Sequence, residues 1–140
     1  MPTEVSVNVN LVKEMHFHGE NSKGLGVEMD SQPADVVSVG PSPMELVLQA
    51  AGGCSLMDVA VILRKRKVSL EQLTAEITGV KRDKQPKIYE KIEIIYRVKG
   101  EGATVEELER AVKLSLSTYC SVFGMLQKSA EITWHCEVIQ

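Results

Sequence analysis

Residues 42–66 read SPMELVLQAAGGCSLMDVAVILRKR, and this stretch decides the fold. Ser42 can cap the free amides of a helix, Pro43 suits the first helical position, and Glu45 lies three residues after Ser42, where a capping box needs an acceptor. The run Arg64, Lys65, Arg66, Lys67 places cations at the carbonyl end of the macrodipole. Between Leu46 and Val61 the strongly polar side chains are Gln49, Ser55 and Asp58, so the pattern predicts a long helix buried on every side. An apolar run of this length followed by a basic cluster also has the form of a membrane span. Asp58, Gln49 and the Gly52-Gly53 pair interrupt it, and the chain elsewhere alternates like water-exposed sheet. The expectation is no membrane span, no secretory signal in MPTEVSVNVN and a cytoplasmic protein.

Working outward, residues 4–12 alternate Val5, Val7, Val9 and Leu11 with polar neighbours, the pattern of a half-buried strand. His16, Phe17 and His18 lead into a turn-rich segment at 19–24, and Leu25 to Met29 can return as a second strand. Residues 30–41, with Pro33, Gly40 and Pro41, read as a loop or short edge strand. Beyond the helix, Leu73, Ala75 and Ile77, and then Ile92, Ile94, Tyr96 and Val98, predict two antiparallel strands joined around residues 83–87. Thr104 and Glu107 form a second capping box that opens a helix with Leu108, Ala111, Val112 and Ser115 on one stripe. Tyr119-Cys120-Ser121 interrupts it, residues 122–128 resume it, and Ala130 to Val138 form a last strand. The order predicts an α+β fold in a single domain, 1–140. A sheet covers such a helix on one side only, so the reading implies a homodimer, with Ala50, Ala51, Gly52 and Gly53 letting two central helices approach.

The chain has 140 residues, 44% of them hydrophobic, and a formal charge of −3, a balance that excludes a basic nucleic-acid-binding surface. Three cysteines, an odd number without a signal segment, point to free or redox-active thiols rather than a disulfide framework. Cys54 is a candidate nucleophile or a small buried hydrophobe; thiolate chemistry there needs help from another element, such as the His16-x-His18 hairpin or a second subunit. Cys120, at a helix break, can receive amides from the next helix, which favours a thiolate. Cys136 shares an inward strand face with Trp134 and is assigned to the core. His16 and His18 share one strand face, a geometry open to a metal, but no Cys-x-x-Cys or His-Glu-x-x-His pattern supports one, and neither metal nor cofactor is expected. Asp58, one turn after Cys54, is expected to bind a cation or a hydroxyl from another element.

Pro43-Met44-Glu45-Leu46, Gly53-Cys54-Ser55-Leu56 and Tyr119-Cys120-Ser121-Val122 together resemble the OsmC/Ohr family, with the likeness extending over nearly the whole chain and closest to its OsmC-like branch. The proline and the first cysteine stand eleven apart (54 − 43), and the second cysteine lies 66 further on (120 − 54). The resemblance implies antiparallel sheets wrapped around a long central helix in an intertwined homodimer. It further implies a thiol-dependent peroxidase of oxidative-stress defence acting on organic hydroperoxides, with Cys54 peroxidatic, Cys120 resolving, and a dithiol or lipoylated protein as reductant. Peroxidases of the family also use a hairpin arginine and a glutamate directly after the proline. Here Met44 follows Pro43, Glu45 comes one place later, and no arginine stands between Glu4 and Pro41. Glu45, His16, His18 and Lys23 are the candidate substitutes. The rival readings are a non-catalytic module holding a small apolar ligand and a thiol redox sensor.

Overall fold

A computed structural model describes residues 3–140, which divide into two compact units, one ending at Val47 and the other running from Leu48 to Gln140. In the first, β1 (Val7–Lys13), β2 (His16–Asn21) and β3 (Gly26–Met29) form an antiparallel meander. The sequence reading differs in one respect: the strand that begins at His16 runs on through Gly19 to Asn21, where a turn was expected; of the two readings of residues 30–41, the loop is the one found. The chain reverses earlier than the glycines suggest, through Glu14 at φ 51, and reverses again at Gly24, φ 79. Asn21 secures that second turn, its side chain accepting from the amides of Lys23 and Leu25 at 2.9 and 3.0 Å. The loop after β3 is organised by buried Asp30, whose carboxylate accepts from the amides of Ser31 (2.8 Å) and Val39 (3.0 Å).

Register sorts the side chains of this sheet cleanly. Val9 pairs with Gly19 and Gly19 with Val27, while Leu11 pairs with Phe17 and Phe17 with Met29, so one face is apolar. The other face carries the Asn10, His18, Glu28 row. The expected half-burial of β1 is not found: all seven of its residues are exposed. Gly19 leaves a recess of about 390 Å³ in it, bordered by Val7, Val9, Leu25, Val27 and Met29.

The helix α1 (Pro43–Lys65) begins as the capping box requires, with the Ser42 hydroxyl accepting from the Glu45 amide (3.2 Å) and the Glu45 carboxylate accepting from the Ser42 amide (2.9 Å). It is long and apolar enough to cross a membrane, but it is not buried all round. One stripe, Ala51, Gly52, Ser55, Val59 and Leu63, is buried, whereas Met57 (73% exposed) and Val61 (52%) face outward. The small residues divide accordingly. A Cβ on Gly52 would stand 2.6 Å from the Ile77 side chain, so Gly52, like buried Ala51, serves packing within the chain. Gly53 has open space beside it, and Ala50 is exposed.

The second sheet is β4 (Ser69–Lys81), β5 (Tyr89–Glu101) and β6 (Glu131–Val138), with β5 central. The β4–β5 pair is antiparallel as predicted, but β6 runs parallel to β5, so this sheet is mixed. Rows such as Ile77, Ile94, Trp134 and Ala75, Tyr96, Cys136 form the core face. Ile92, Ile94, Tyr96 and Val98 are at most 1% exposed, the alternation that the period-2 pattern announces. On the opposite face Arg97 bridges Glu76 (2.9 Å) and Glu137 (2.8 Å). Between β5 and β6 lie α2 (Val105–Leu114), a five-residue π-helical turn (Ser115–Tyr119) and α3 (Ser121–Leu126). Thr104 caps α2, accepting from the Glu107 amide (3.1 Å); the Glu107 side chain turns away from the cap and pairs with Arg66 (2.8 Å). Leu108, Ala111, Val112 and Ser115 are buried together, as their spacing predicts.

Candidate active site

Cys54 is carried midway along α1 and is half-buried; Cys120 sits between the π-helical turn and α3 and is 4% exposed. The two thiols are free, and Cys54 lies near enough to Cys120 to raise its pKa. Cys120 caps α3, its sulfur accepting from the Phe123 amide at 3.5 Å. The expected amides are therefore present, but they do not decide the proton's position. The Cys120 thiol is raised to about 11, chiefly by burial and further by nearby Cys54, while the Phe123 and Val122 amides act in the opposite direction. Cys120 thus holds its proton at neutral pH. Cys136, inside the core, is pushed by burial to about 12.

Beside the thiols lies a buried polar chain. Ser55 Oγ is 2.7 Å from Tyr96 Oη and 2.9 Å from Ser115 Oγ, and Ser115 Oγ donates to Asp58 Oδ2 at 3.0 Å. A carboxylate only accepts, so Ser115 donates to Asp58, Ser55 to Ser115 and Tyr96 to Ser55, and each hydroxyl proton has one acceptor. Burial raises Tyr96 to about 12, which keeps the phenol a donor. Asp58 takes the hydroxyl partner expected of it. It also borders a recess of about 250 Å³ with Val61, Ile62, Lys65 and Tyr119.

Ser55, Tyr96 and Ser115 were not singled out from the sequence. Each is a polar residue on an otherwise apolar inward face, of α1, of β5 and of the π-helical turn that continues α2, and that shared property is the signal that could have found them.

His16, His18 and Glu45 belong to the first unit. Glu28 of β3 bridges both histidines, its Oε1 2.6 Å from His16 Nε2 and its Oε2 2.5 Å from His18 Nδ1, while Glu20 lies 3.3 Å from His18 Nε2. The hydrogen bonds to Glu28 and then Glu20 raise His18 above its ordinary 6.5; those from His16 and then His18 lower Glu28. Among the described residues no three His, Cys, Asp or Glu side chains converge as a metal-ion set. Glu45 acts as the capping acceptor.

The family described as OsmC-like protein matches residues 33–135. Protein YhfA of Escherichia coli K12 is 36% identical over 135 residues, 96% of this chain and 98% of the relative. A crystal structure of a hypothetical protein from Aquifex aeolicus is 34% identical, with a TM-score of 0.80 over 99% of this chain and 100% of the other. The organic hydroperoxide resistance protein OhrB of Bacillus subtilis shares the fold at 10% identity, with a TM-score of 0.64 over 96% of this chain and 98% of its own. With a match across most of the chain and a relative above 30% identity over nearly its full length, this protein belongs to the OsmC-like family.

Proposed function

We propose that the protein is a two-cysteine hydroperoxide reductase, acting on organic hydroperoxides in the cytoplasm. The observation that supports this reading is the proximity of a half-buried thiol, Cys54, to a buried one, Cys120, that holds its proton. The Cys54 thiolate attacks the distal peroxide oxygen, the O–O bond breaks, and the alkoxide leaves and takes a proton as the alcohol. Cys54 is then a sulfenic acid. Cys120 attacks its sulfur, the Cys120 proton leaves with the hydroxyl as water, and a disulfide remains. A small dithiol or lipoylated protein returns both thiols. The active form is a homodimer, and the positive group that a thiolate also requires is sought on the second copy, with His16, His18 and Lys23 as candidates.

Cumene hydroperoxide consumption with dihydrolipoamide as reductant tests the reading. Wild type turns over, Cys54→Ser is inert, and Cys120→Ser accumulates a Cys54 sulfenic acid that dimedone traps. A wild type no faster than Cys54→Ser removes this substrate class and leaves the binding-module reading.

A further inference from the structure

The π-helical turn decides which residue faces Cys54. Its closing bond runs from the Cys120 amide to the Ser115 carbonyl, five residues back, at 2.7 Å. In an uninterrupted α-helix the amide of Tyr119 would make that bond, and every later side chain would be rotated by one residue, about 100°. With the extra residue accommodated, Cys120 is buried and Tyr119 is 59% exposed. Something must hold the wider turn, since it is the less stable form of helix.

The holding contacts lie at Ser115, the first residue of the turn. Its hydroxyl donates to Asp58 Oδ2 and meets Ser55 Oγ and, at 3.4 Å, the Ser55 carbonyl. Asp58 is four residues beyond Cys54 and so on the same side of α1. Three links join the thiols by geometry: Cys120 to Ser115 through the backbone, Ser115 to Asp58 through its side chain, and Asp58 to Cys54 along one helical turn. We propose that Asp58 and Ser115 are positioning residues for disulfide formation between Cys54 and Cys120, setting the resolving thiol's aim by pinning the π-helical turn to α1.

The inference deepens the reductase reading and rests on it for its biological purpose, but its test needs no peroxide. Equilibrating the full-length protein with reduced and oxidised glutathione, and measuring the Cys54–Cys120 disulfide by mass spectrometry after acid quench, gives the effective concentration of one thiol toward the other. Asp58→Ala and Ser115→Ala lower it at least about tenfold, while the rate of Cys54 alkylation by iodoacetamide stays within about twofold. Asp58→Asn, whose amide oxygen still accepts from the Ser115 hydroxyl, stays within about threefold of wild type. If Ser115→Ala does not fold, the half-buried Asp58 position still allows the Ala and Asn comparison. An effective concentration unchanged in folded Asp58→Ala, or lowered equally in Asp58→Asn, overturns the proposal. A protein inert toward hydroperoxide that nonetheless shows the Ala and Asn difference retains these links and loses only the substrate.

Discussion

Two cysteines separated by 66 positions are brought near each other by their neighbours: Ser55, next to Cys54, is hydrogen-bonded to Ser115, whose carbonyl accepts from the Cys120 amide. At Cys120 the competition between amides and burial is won by burial, which is the reason a helix cap alone does not make a reactive thiol. The histidines follow a different balance, since Glu28 bridges both on the polar face of the first sheet, where they are half-buried. His18 is raised, so its contribution to stability is complete below pH 6.5 and lost as pH rises through its folded value; Glu28 is lowered, so its contribution is present above pH 4.5 and lost as pH falls through its folded value. Both are in force together between those limits. An NMR titration of the His18 ring is expected to give a midpoint above 6.5 that drops in Glu28→Gln. A midpoint unaffected by that substitution would mean the carboxylate does not hold the ring in solution.

At the scale of elements, α1 was legible from its ends and misread along its length. Ser42, Pro43 and Glu45 mark its start because capping is a local transaction among four residues. Ser42→Ala is expected to cost about 1 kcal/mol in urea unfolding, since it removes the acceptor of the Glu45 amide; a loss below a few tenths would show that water replaces the cap. Uniform burial did not follow from uniform apolarity, because only the Ala51 to Leu63 stripe meets the chain's own core. The strand His16–Asn21 was hidden by its glycine and its polar residues, which normally signal a turn; here Gly19 sits between Val9 and Val27 and opens a recess. Likewise, the parallel direction of β6 depends on where the chain crosses after α3, which no local pattern encodes.

At the scale of the whole molecule, the exposed apolar residues among those described include the β1–β2–β3 face with Val7, Val9, Leu25 and Val27, and the outer side of α1 with Met57 and Val61. Contiguous exposure of this kind marks an interaction surface. We therefore expect a homodimer of twice 15.4 kDa in sedimentation equilibrium, dissociated by Val9→Lys together with Val27→Lys. A 15.4 kDa species at tens of micromolar would defeat this expectation.

By itself the sequence determined the helix caps, the period-2 core of the second sheet, the buried stripe of α2 and the family, because each depends on residues close in the chain or on motif spacing. Tertiary structure alone decided that Ser55, Tyr96, Ser115 and Asp58 form one hydrogen-bonded chain, that burial keeps the proton on Cys120, and that only one stripe of α1 is covered. Those outcomes depend on which distant groups share a desolvated volume, and a polar residue on an apolar stripe acquires its meaning only when its partner arrives from another element.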